Sequence, residues 1–484
     1  MNELNPTSSR REFIKTTGRV AAISALAGVS VPYVHAASDD TIQVALVGCG
    51  GRGTGAASQA MGVKRGPVKL VAMADVFEEK LNSSHQGLSK DHVHMDVPPE
   101  RKFVGFDGYK NAMDCLKPGD IVILTTPLAF RWLHFEYAIK KGLNVFMEKP
   151  LTADGPTSRR MLKLADEASA KNLKVGVGLM SRHQRALQEL SHRIHDDIGD
   201  IILMRGYRVG EPVAACFSPR KPADITEVAY QISRFHSFIW ASGGCYSDFN
   251  IHIIDHLCWM KNAWPVKVQT MGGRHYRGND VDQNFDTYSA EYTFDDGTKM
   301  LLEGRCMYGC LPIYASYAHG TKGYAVVSKS GDCGMPSSTY KGYKENHSKS
   351  KSSPPSSTDR AKWPAYMGEK AHYNNLLWTS DIKGDQTNPY VNEWNDLVDA
   401  IRDDKPYSEV KRGVYASVVT SMGRWAGHTG QEITFDQMLN DTHELAPHVA
   451  TMTMDGPAPV MPDADGRYPI PQPGICTKTE YPMT

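Results

Sequence analysis

What the sequence lacks narrows the field first. None of its nine cysteines (at 49, 115, 216, 245, 258, 306, 310, 333 and 476) forms a CxxC pair, which removes the usual zinc-ribbon and thioredoxin-like motifs. An odd number cannot all be bridged within one chain, although an oxidising destination would permit a bridge. Cys306 and Cys310 are expected on a strand and the turn after it, unpaired with each other. Neither charge is in excess, with Lys plus Arg and Asp plus Glu at 54 each, so neither nucleic acid nor an anionic membrane is favoured as partner. Beyond the first 36 residues no run of eighteen apolar residues occurs, so no stable membrane span is expected. No internal repeat is present. With 41% hydrophobic and 22% charged residues in 484, the chain is ordinary globular material for two or three domains.

The amino terminus is different. Ser9-Arg10-Arg11-Glu12-Phe13-Ile14-Lys15 is followed by the weakly apolar run Val20–Val34 and a small residue at Ala36. Paired arginines, a short apolar run and a small-residue cleavage site in that order predict a twin-arginine signal over residues 1–36, cleaved after Ala36. Periplasmic or otherwise exported localisation follows from it. Taking away its four basic and two acidic residues leaves 50 basic against 52 acidic, a balance suited to a small neutral ligand rather than a polyanion.

From Thr41 short β-rich runs alternate with helical stretches. The runs are TIQVALVGC, VKLVAMADV, DIVILTT, NVFMEKP and LKVGVGLM. That rhythm predicts a parallel sheet with crossover helices over residues 37–180. After Arg182 longer runs with period-two alternation take over, with Asp295-Asp296-Gly297 as a hairpin turn between two of them. Residues 181–440 are therefore expected to form an α+β domain, its mostly antiparallel sheet covered on one face by helices. Lys344–Lys362 is a Ser/Lys/Pro loop that cannot bury a core, and residues 441–484 read as an irregular tail.

Three clusters carry chemistry. Gly48, Gly50 and Gly53 spell GxGxxG after a strand and before a helix, the context that gives the triplet meaning as a dinucleotide turn. Gly48 permits the turn, Gly50 and the adjacent Gly51 let the backbone approach a pyrophosphate, and Gly53 lets helix and strand pack. Asp75 ends the next strand, placed to accept hydrogen bonds from a ribose diol and to repel a 2′-phosphate, which favours NAD over NADP. Arg52, inside the turn, could instead neutralise a phosphate, so NADP stays open. The second cluster, Glu148-Lys149-Pro150, sits at the carboxyl end of a strand, where ligands bind in an open parallel sheet. The third is a helix opened by Gly243-Gly244. Asp248, His252, Asp255 and Trp259 share one of its faces by four-three-four spacing, while Ile251, Ile254 and Cys258 supply its buried side. An Asp one turn from a His can orient an imidazole that serves as general base. His252 and His256 also form HxxxH, but the glutamate of zinc-binding helices is replaced by Ile253, so no metal is expected.

These motifs occur in the order seen in the glucose–fructose oxidoreductase / inositol dehydrogenase / rhizopine catabolism (Gfo/Idh/MocA) family, which the chain resembles from about Ile42 to Gly430. The resemblance rests on GxGGRG, TTPLAFRWLH, MEKPLT and GG…DFNIHIID. It implies a Rossmann domain followed by a sheet domain that often mediates homo-oligomerisation. It also implies a catalytic Lys149 with a frequently cis bond to Pro150, and an Asp248/His252 pair near the substrate. Thr126, Pro127, His134 and Glu148 would lie on the cofactor side with Lys149. Arg182, His183, His236, Trp240, Tyr246 and Asp255 are expected around the substrate from their position near the motifs.

The activity implied is NAD(P)-dependent oxidation of a sugar or polyol hydroxyl. His252 would accept the hydroxyl proton, Lys149 would stabilise the alkoxide and Asp248 would fix both substrate and His252. Twin-arginine export carries folded proteins, so a tightly held, internally recycled cofactor is expected. Two other readings stay open. One is NAD-dependent glycoside cleavage by transient oxidation and elimination, against which the missing Tyr-Pro-Thr-His-Gly stretch counts. The other is a non-catalytic sugar-binding or structural protein.

Overall fold

The computed structural model describes residues 40–275, 277–342 and 375–482. The twin-arginine segment with its cleavage site, and the Lys344–Lys362 loop, lie outside the described residues. The first layer is a six-stranded, wholly parallel sheet. Its strands are β1 (Ile42–Val47), β2 (Val68–Asp75), β3 (Lys102–Val104), β4 (Ile121–Leu124), β5 (Asn144–Met147) and β6 (Val175–Val177), in the order β3-β2-β1-β4-β5-β6. Strand β3 escapes a sequence reading because three residues carry no periodicity. The chain reverses direction of winding between β1 and β4, so a crevice opens at their carboxyl ends.

The crossover helices include α1 (Gly51–Met61), α2 (Glu78–Asp91), α3 (Gly108–Asp114), α4 (Arg131–Lys141) and α5 (Gly155–Ala170). Helix α4 stops where Gly142 takes a left-handed conformation at φ 70°. Helix α5 starts where the Asp154 carboxylate accepts the Thr157 amide.

The second layer is a nine-stranded sheet: β7 (Ile201–Gly210), β8 (Lys267–Gly273), β9 (Thr287–Thr293), β10 (Lys299–Cys306), β11 (Ile313–Gly320), β12 (Gly323–Ser328), β13 (Ser338–Lys341), β14 (Leu376–Thr379) and β15 (Ile433–Thr434). Its order is β14-β13-β12-β11-β7-β10-β9-β8-β15. The β7–β10 pair runs parallel and the others antiparallel. Strands β9 and β10 form the hairpin expected from Asp295–Gly297, with Gly297 at φ 83°. Helix α6 (Arg185–Ile198) leads into this layer. After β7 come the short α7 (Glu227–Ser233) and α8 (Ile239–Ser242), then α9 (Gly244–Lys261). Helix α9 is not one-sided as its spacing suggested: every residue but Phe249, Trp259 and Lys261 is buried. It lies between the sheet and the rest of the molecule, so its polar residues must find partners inside the protein.

Helix α10 (Pro389–Arg402) packs on the first sheet. It belongs in sequence to the second half, yet Trp394, Leu397 and Val398 complete the core of the first sheet, with Trp394 stacked on Phe146 at 4.5 Å. Periodicity tells that a helix has an apolar face, not which sheet receives it. Helix α11 (Val410–Thr429) ends at Gly430, in a left-handed conformation.

Beyond the short helix α12 (Phe435–Asn440) the tail is mainly irregular but firmly held. Glu480 accepts from both Nε and Nη2 of the buried Arg424 at 2.8 Å and sits 2.8 Å from His428 Nδ1. Burial alone would raise this carboxyl, but Arg424 and His428 pull it down to about 2. Its contribution to stability is therefore fully present above its ordinary value of 4.5 and is lost as pH falls through about 2. Glu480→Gln leaves a buried guanidinium uncompensated and is expected to cost about 4 kcal/mol in urea denaturation at neutral pH. The variant also loses the wild type's acid-sensitive limb.

Candidate active site

Gly48 follows β1 at φ 98°, and a Cβ there would stand 2.8 Å from the Thr125 and Thr126 backbone. Thr125, at the end of β4, donates to the Gly48 carbonyl at 2.6 Å and so ties the turn across the crevice. A Cβ on Gly53 would lie 2.0 Å from the Gly48 carbonyl oxygen, whereas one on Gly50 or Gly51 would meet nothing within 4 Å. Gly50 caps α1 without any side-chain hydrogen bond, so no capping side chain occupies the first amides of the helix. A pyrophosphate fits these observations: space at Gly50 and Gly51, uncapped donors, and close packing only where backbone must touch backbone.

A cleft beside this turn is lined by Gly48, Gly50, Asp75, Phe77, Lys80 and Phe106, with Tyr109 and His134 deeper in. Asp75 Oδ2 accepts from the Cys49 amide at 2.7 Å and Oδ1 from the Phe77 amide at 2.9 Å, which fixes the carboxylate while leaving lone pairs for a diol. His134 is buried, and burial with the nearby Arg131 charge lowers its pKa to about 3. It is a neutral ring, 3.3 Å from Thr126 Oγ1.

The second cleft, about 260 Å³, shares Thr125, Thr126, Pro127 and Phe235 with the first. The two are therefore one continuous groove. Into it come Glu148 and Lys149 from the end of β5, His236 from the segment before α8, and Asp248 and His252 from α9. The Lys149–Pro150 bond is cis. Lys149 Nζ donates to the Asp248 carbonyl at 2.8 Å and lies 3.4 Å from its Oδ1. On the other side of that carboxylate His236 Nε2 stands 3.4 Å from Oδ2. His252 Nδ1 is buried without a hydrogen-bond partner. Burial, reinforced by Lys149, depresses the His252 pKa well below its ordinary value. The imidazole is neutral, with an unused nitrogen. Chemically the groove offers an ammonium, a carboxylate and a neutral base around one small space.

Several expected residues are engaged by the protein itself, Arg52 within the groove and the others outside it. Arg52 does not keep its charge for a phosphate: Nε donates to Glu148 at 2.6 Å, Nη2 lies 3.6 Å from Glu393, and the guanidinium stacks on Tyr390. Trp240 is a core residue, its Nε1 donating to Gln231 at 2.9 Å. Tyr246 is core too, its hydroxyl 2.8 Å from that of Tyr292. Asp255 is fully buried in a bidentate pair with Arg182, both bonds 2.8 Å. The face shared by Asp248, His252, Asp255 and Trp259 thus splits: Asp248 and His252 line the groove, Asp255 is sealed by Arg182, and Trp259 with Arg182 and His183 helps to line a separate cavity of about 650 Å³. Nearness in sequence to a motif does not survive one helical turn.

His183 is a structural cation. It lies 2.7 Å from Asp396 and 3.0 Å from Glu409. Burial would lower its pKa, but the two carboxylates raise it to about 9. The stability it contributes is fully present below its ordinary 6.5 and is lost as pH rises through about 9. His183→Gln is expected to cost about 2 kcal/mol at pH 6, and less above pH 9, read from denaturation midpoints across that range.

Sequence reasoning missed Phe77, Lys80, Phe235, Phe249 and Tyr390 as groove residues. The first two carried a signal, following Asp75 where β2 opens into the crevice. Tyr390 carried none, because it arrives on α10 from far along the chain.

The parallel sheet, its glycine turn and the groove beneath a large mostly antiparallel sheet define the class: an α/β protein with a Rossmann-like layer followed by a sheet domain. No protein-family model matches the chain. Among curated proteins it is 33% identical over 113 residues to the inositol 2-dehydrogenase of Leifsonia xyli subsp. xyli, which covers 23% of this chain and 31% of that protein. The matched stretch thus spans about a third of the relative's length. Among solved structures it resembles an aldose-aldose oxidoreductase from Caulobacter crescentus complexed with glycerol (TM-score 0.59, 15% identity, covering 81% of this chain and 99% of the other). It also resembles myo-inositol 2-dehydrogenase from Lactobacillus plantarum (0.56, 20%, 81% and 99%). A third is scyllo-inositol dehydrogenase from Lactobacillus casei with bound NAD(H) and scyllo-inositol (0.55, 18%, 82% and 99%). At such identities the likeness establishes the fold. The structural neighbours are inositol and sugar oxidoreductases, and some carry a nicotinamide cofactor.

Proposed function

We propose that the protein is an oxidoreductase that takes a hydride from a CH–OH carbon of a sugar or polyol, using a pyridine nucleotide held at the Gly48–Gly53 turn. The observation that carries this reading is the groove itself. Lys149, Asp248 and His252, from two separate segments, converge in a space continuous with the glycine turn.

Gly50 and Gly51 would hold the pyrophosphate, and Asp75 the adenosine ribose, which favours NAD over NADP. Thr126, Pro127, His134 and Glu148 would flank the nucleotide. When bound, the nicotinamide supplies a two-electron hydride acceptor. The chain does the rest. Lys149 donates to the reacting oxygen and stabilises its negative charge as the C–H bond weakens. His252, a neutral imidazole lining the groove, takes the hydroxyl proton, so CH–OH becomes C=O. Asp248 fixes the ammonium and can accept from a neighbouring hydroxyl, with His236 behind it.

Export through the twin-arginine route rests on Arg10, Arg11 and the apolar run after them, and with it a periplasmic location and a tightly held, recycled cofactor. Pairing of two chains through the open face of the nine-stranded sheet is supported by its row of rings, Tyr207 with Tyr317 at 6.3 Å and Tyr324 stacked on Tyr340 at 4.7 Å.

Mass spectrometry and near-ultraviolet absorbance of the purified protein test the reading, with and without myo-inositol, D-glucose and aryl glycosides. Bound NAD that becomes NADH on adding a polyol or sugar is expected. Release of aglycone without net reduction would instead indicate glycoside cleavage, and failure to bind any nucleotide would leave a binding protein.

A further inference from the structure

We propose that Cys216 and Cys306 form a disulfide that pins the loop after β7 to the end of β10, directly behind the wall of the groove. Three cysteines from distant parts of the chain form one buried cluster: Cys216 in that loop, Cys245 in the first turn of α9 and Cys306 at the end of β10. Their side chains pack into one buried cluster, with Val213, Phe217 and Phe249 against it. The other apolar members of the cluster include Phe249, which lines the groove beside Asp248.

The backbone around the trio is fixed independently of the sulfurs. Asn284 accepts from the Cys245 amide at 2.9 Å and donates to the carbonyls of Cys216 at 2.8 Å and His236 at 2.9 Å. The Cys306 amide donates to the Asp286 carbonyl at 2.8 Å. One asparagine thus joins the cluster to His236, the imidazole next to Asp248.

The chemistry separates the three sulfurs. Cys306 is the thiolate: hydrogen bonds from Cys216 and Cys245 outweigh its burial and, with Arg208 and Arg277, lower its pKa to about 4. Cys245 is fully buried and pushed well up by desolvation, so it remains a thiol. Cys216 lies on irregular backbone after β7; against its hydrogen bond with Cys245, the hydrogen bond with Cys306 and burial push its thiol up, so it too stays protonated. With a glutathione disulfide as oxidant, the Cys306 thiolate attacks it first, forming a mixed disulfide and releasing one glutathione as thiolate. Cys216 then loses its proton and attacks the Cys306 sulfur, so the protein S–S bond forms and the second glutathione leaves as thiolate. The two protein sulfurs lose two electrons to one oxidised glutathione, which becomes two thiols by taking one proton from Cys216 and one from solvent.

The experiment equilibrates the full-length protein in oxidising glutathione buffer, quenches it with acid, alkylates free thiols and maps peptides. This readout does not depend on turnover, so it stands apart from the proposed activity. A linked Cys216–Cys306 peptide and the loss of two thiols per chain are expected. Cys245→Ser should retain the link, whereas Cys216→Ser and Cys306→Ser should each lose it. Full alkylation of all nine cysteines in the wild type, or a link from Cys245 to either partner, would overturn the proposal. Should the Cys245→Ser chain fail to fold, the wild-type map alone decides.

Discussion

Lys149→Met lowers kcat/KM for the sugar or polyol about a thousandfold while the affinity for NAD stays within a factor of about two. The lysine reaches the groove two residues past the end of β5, and its ammonium contacts Asp248. Removing it leaves the glycine turn untouched. The alkoxide that develops as the C–H bond weakens then lacks the ammonium, while the Arg52 guanidinium in the same groove is engaged by Glu148. His252→Gln is expected to give a loss of about a hundredfold, because an amide offers a hydrogen bond but cannot take the proton. Steady-state kinetics beside NAD titration by fluorescence checks both. Full turnover in both variants would remove these residues from the chemistry, whatever binds at the turn.

Gly50→Val separates nucleotide binding from folding. The backbone there is extended, at φ −71° and ψ −177°, which a β-branched residue adopts readily, and an added Cβ meets nothing within 4 Å. The apo protein should keep its stability to within about 0.5 kcal/mol. The added methyls would, however, project into the space reserved for the pyrophosphate. NAD at about 100 times its Kd should raise wild-type stability by about 2.7 kcal/mol and leave the variant unmoved. Gly53→Ala gives the contrast. Its Cβ would press on the Gly48 carbonyl oxygen, so folding and binding should fail together, with a stability loss of about 2 kcal/mol. Denaturation curves with and without NAD distinguish the two outcomes.

The parts of this molecule that were legible in the sequence are those set by local pattern. Alternating β-rich runs and helices gave the parallel layer because each strand there is buried on both faces and reads as a continuous apolar run. The glycine triplet read correctly as a turn because Gly48 and Gly53 answer local steric demands, a positive φ and a backbone contact. The convergence of Lys149 with Asp248 was suggested by family resemblance, not by spacing, since 99 residues separate them. What stayed hidden depends on tertiary partners. Trp240 and Tyr246 are polar enough to serve a substrate, but their polar atoms are taken up by Gln231 and Tyr292 in the core. Arg182 and His183 follow the last strand of the first sheet as pocket residues would, yet carboxylates on α9, α10 and at the start of α11 claim them. Arg52 sits inside the turn and is drawn from it by Glu148, a partner 96 residues away. Charge was visible in the sequence; its counter-charge was not.

A crystal structure of the protein with NAD tests the central claim most directly. The account predicts the pyrophosphate on the amides of Gly50–Arg52 and the nicotinamide ring in the shared part of the groove, one face turned to Lys149 and His252. A nucleotide whose ring points away from those two side chains, or a glycine turn left without phosphate at saturating NAD, would contradict it.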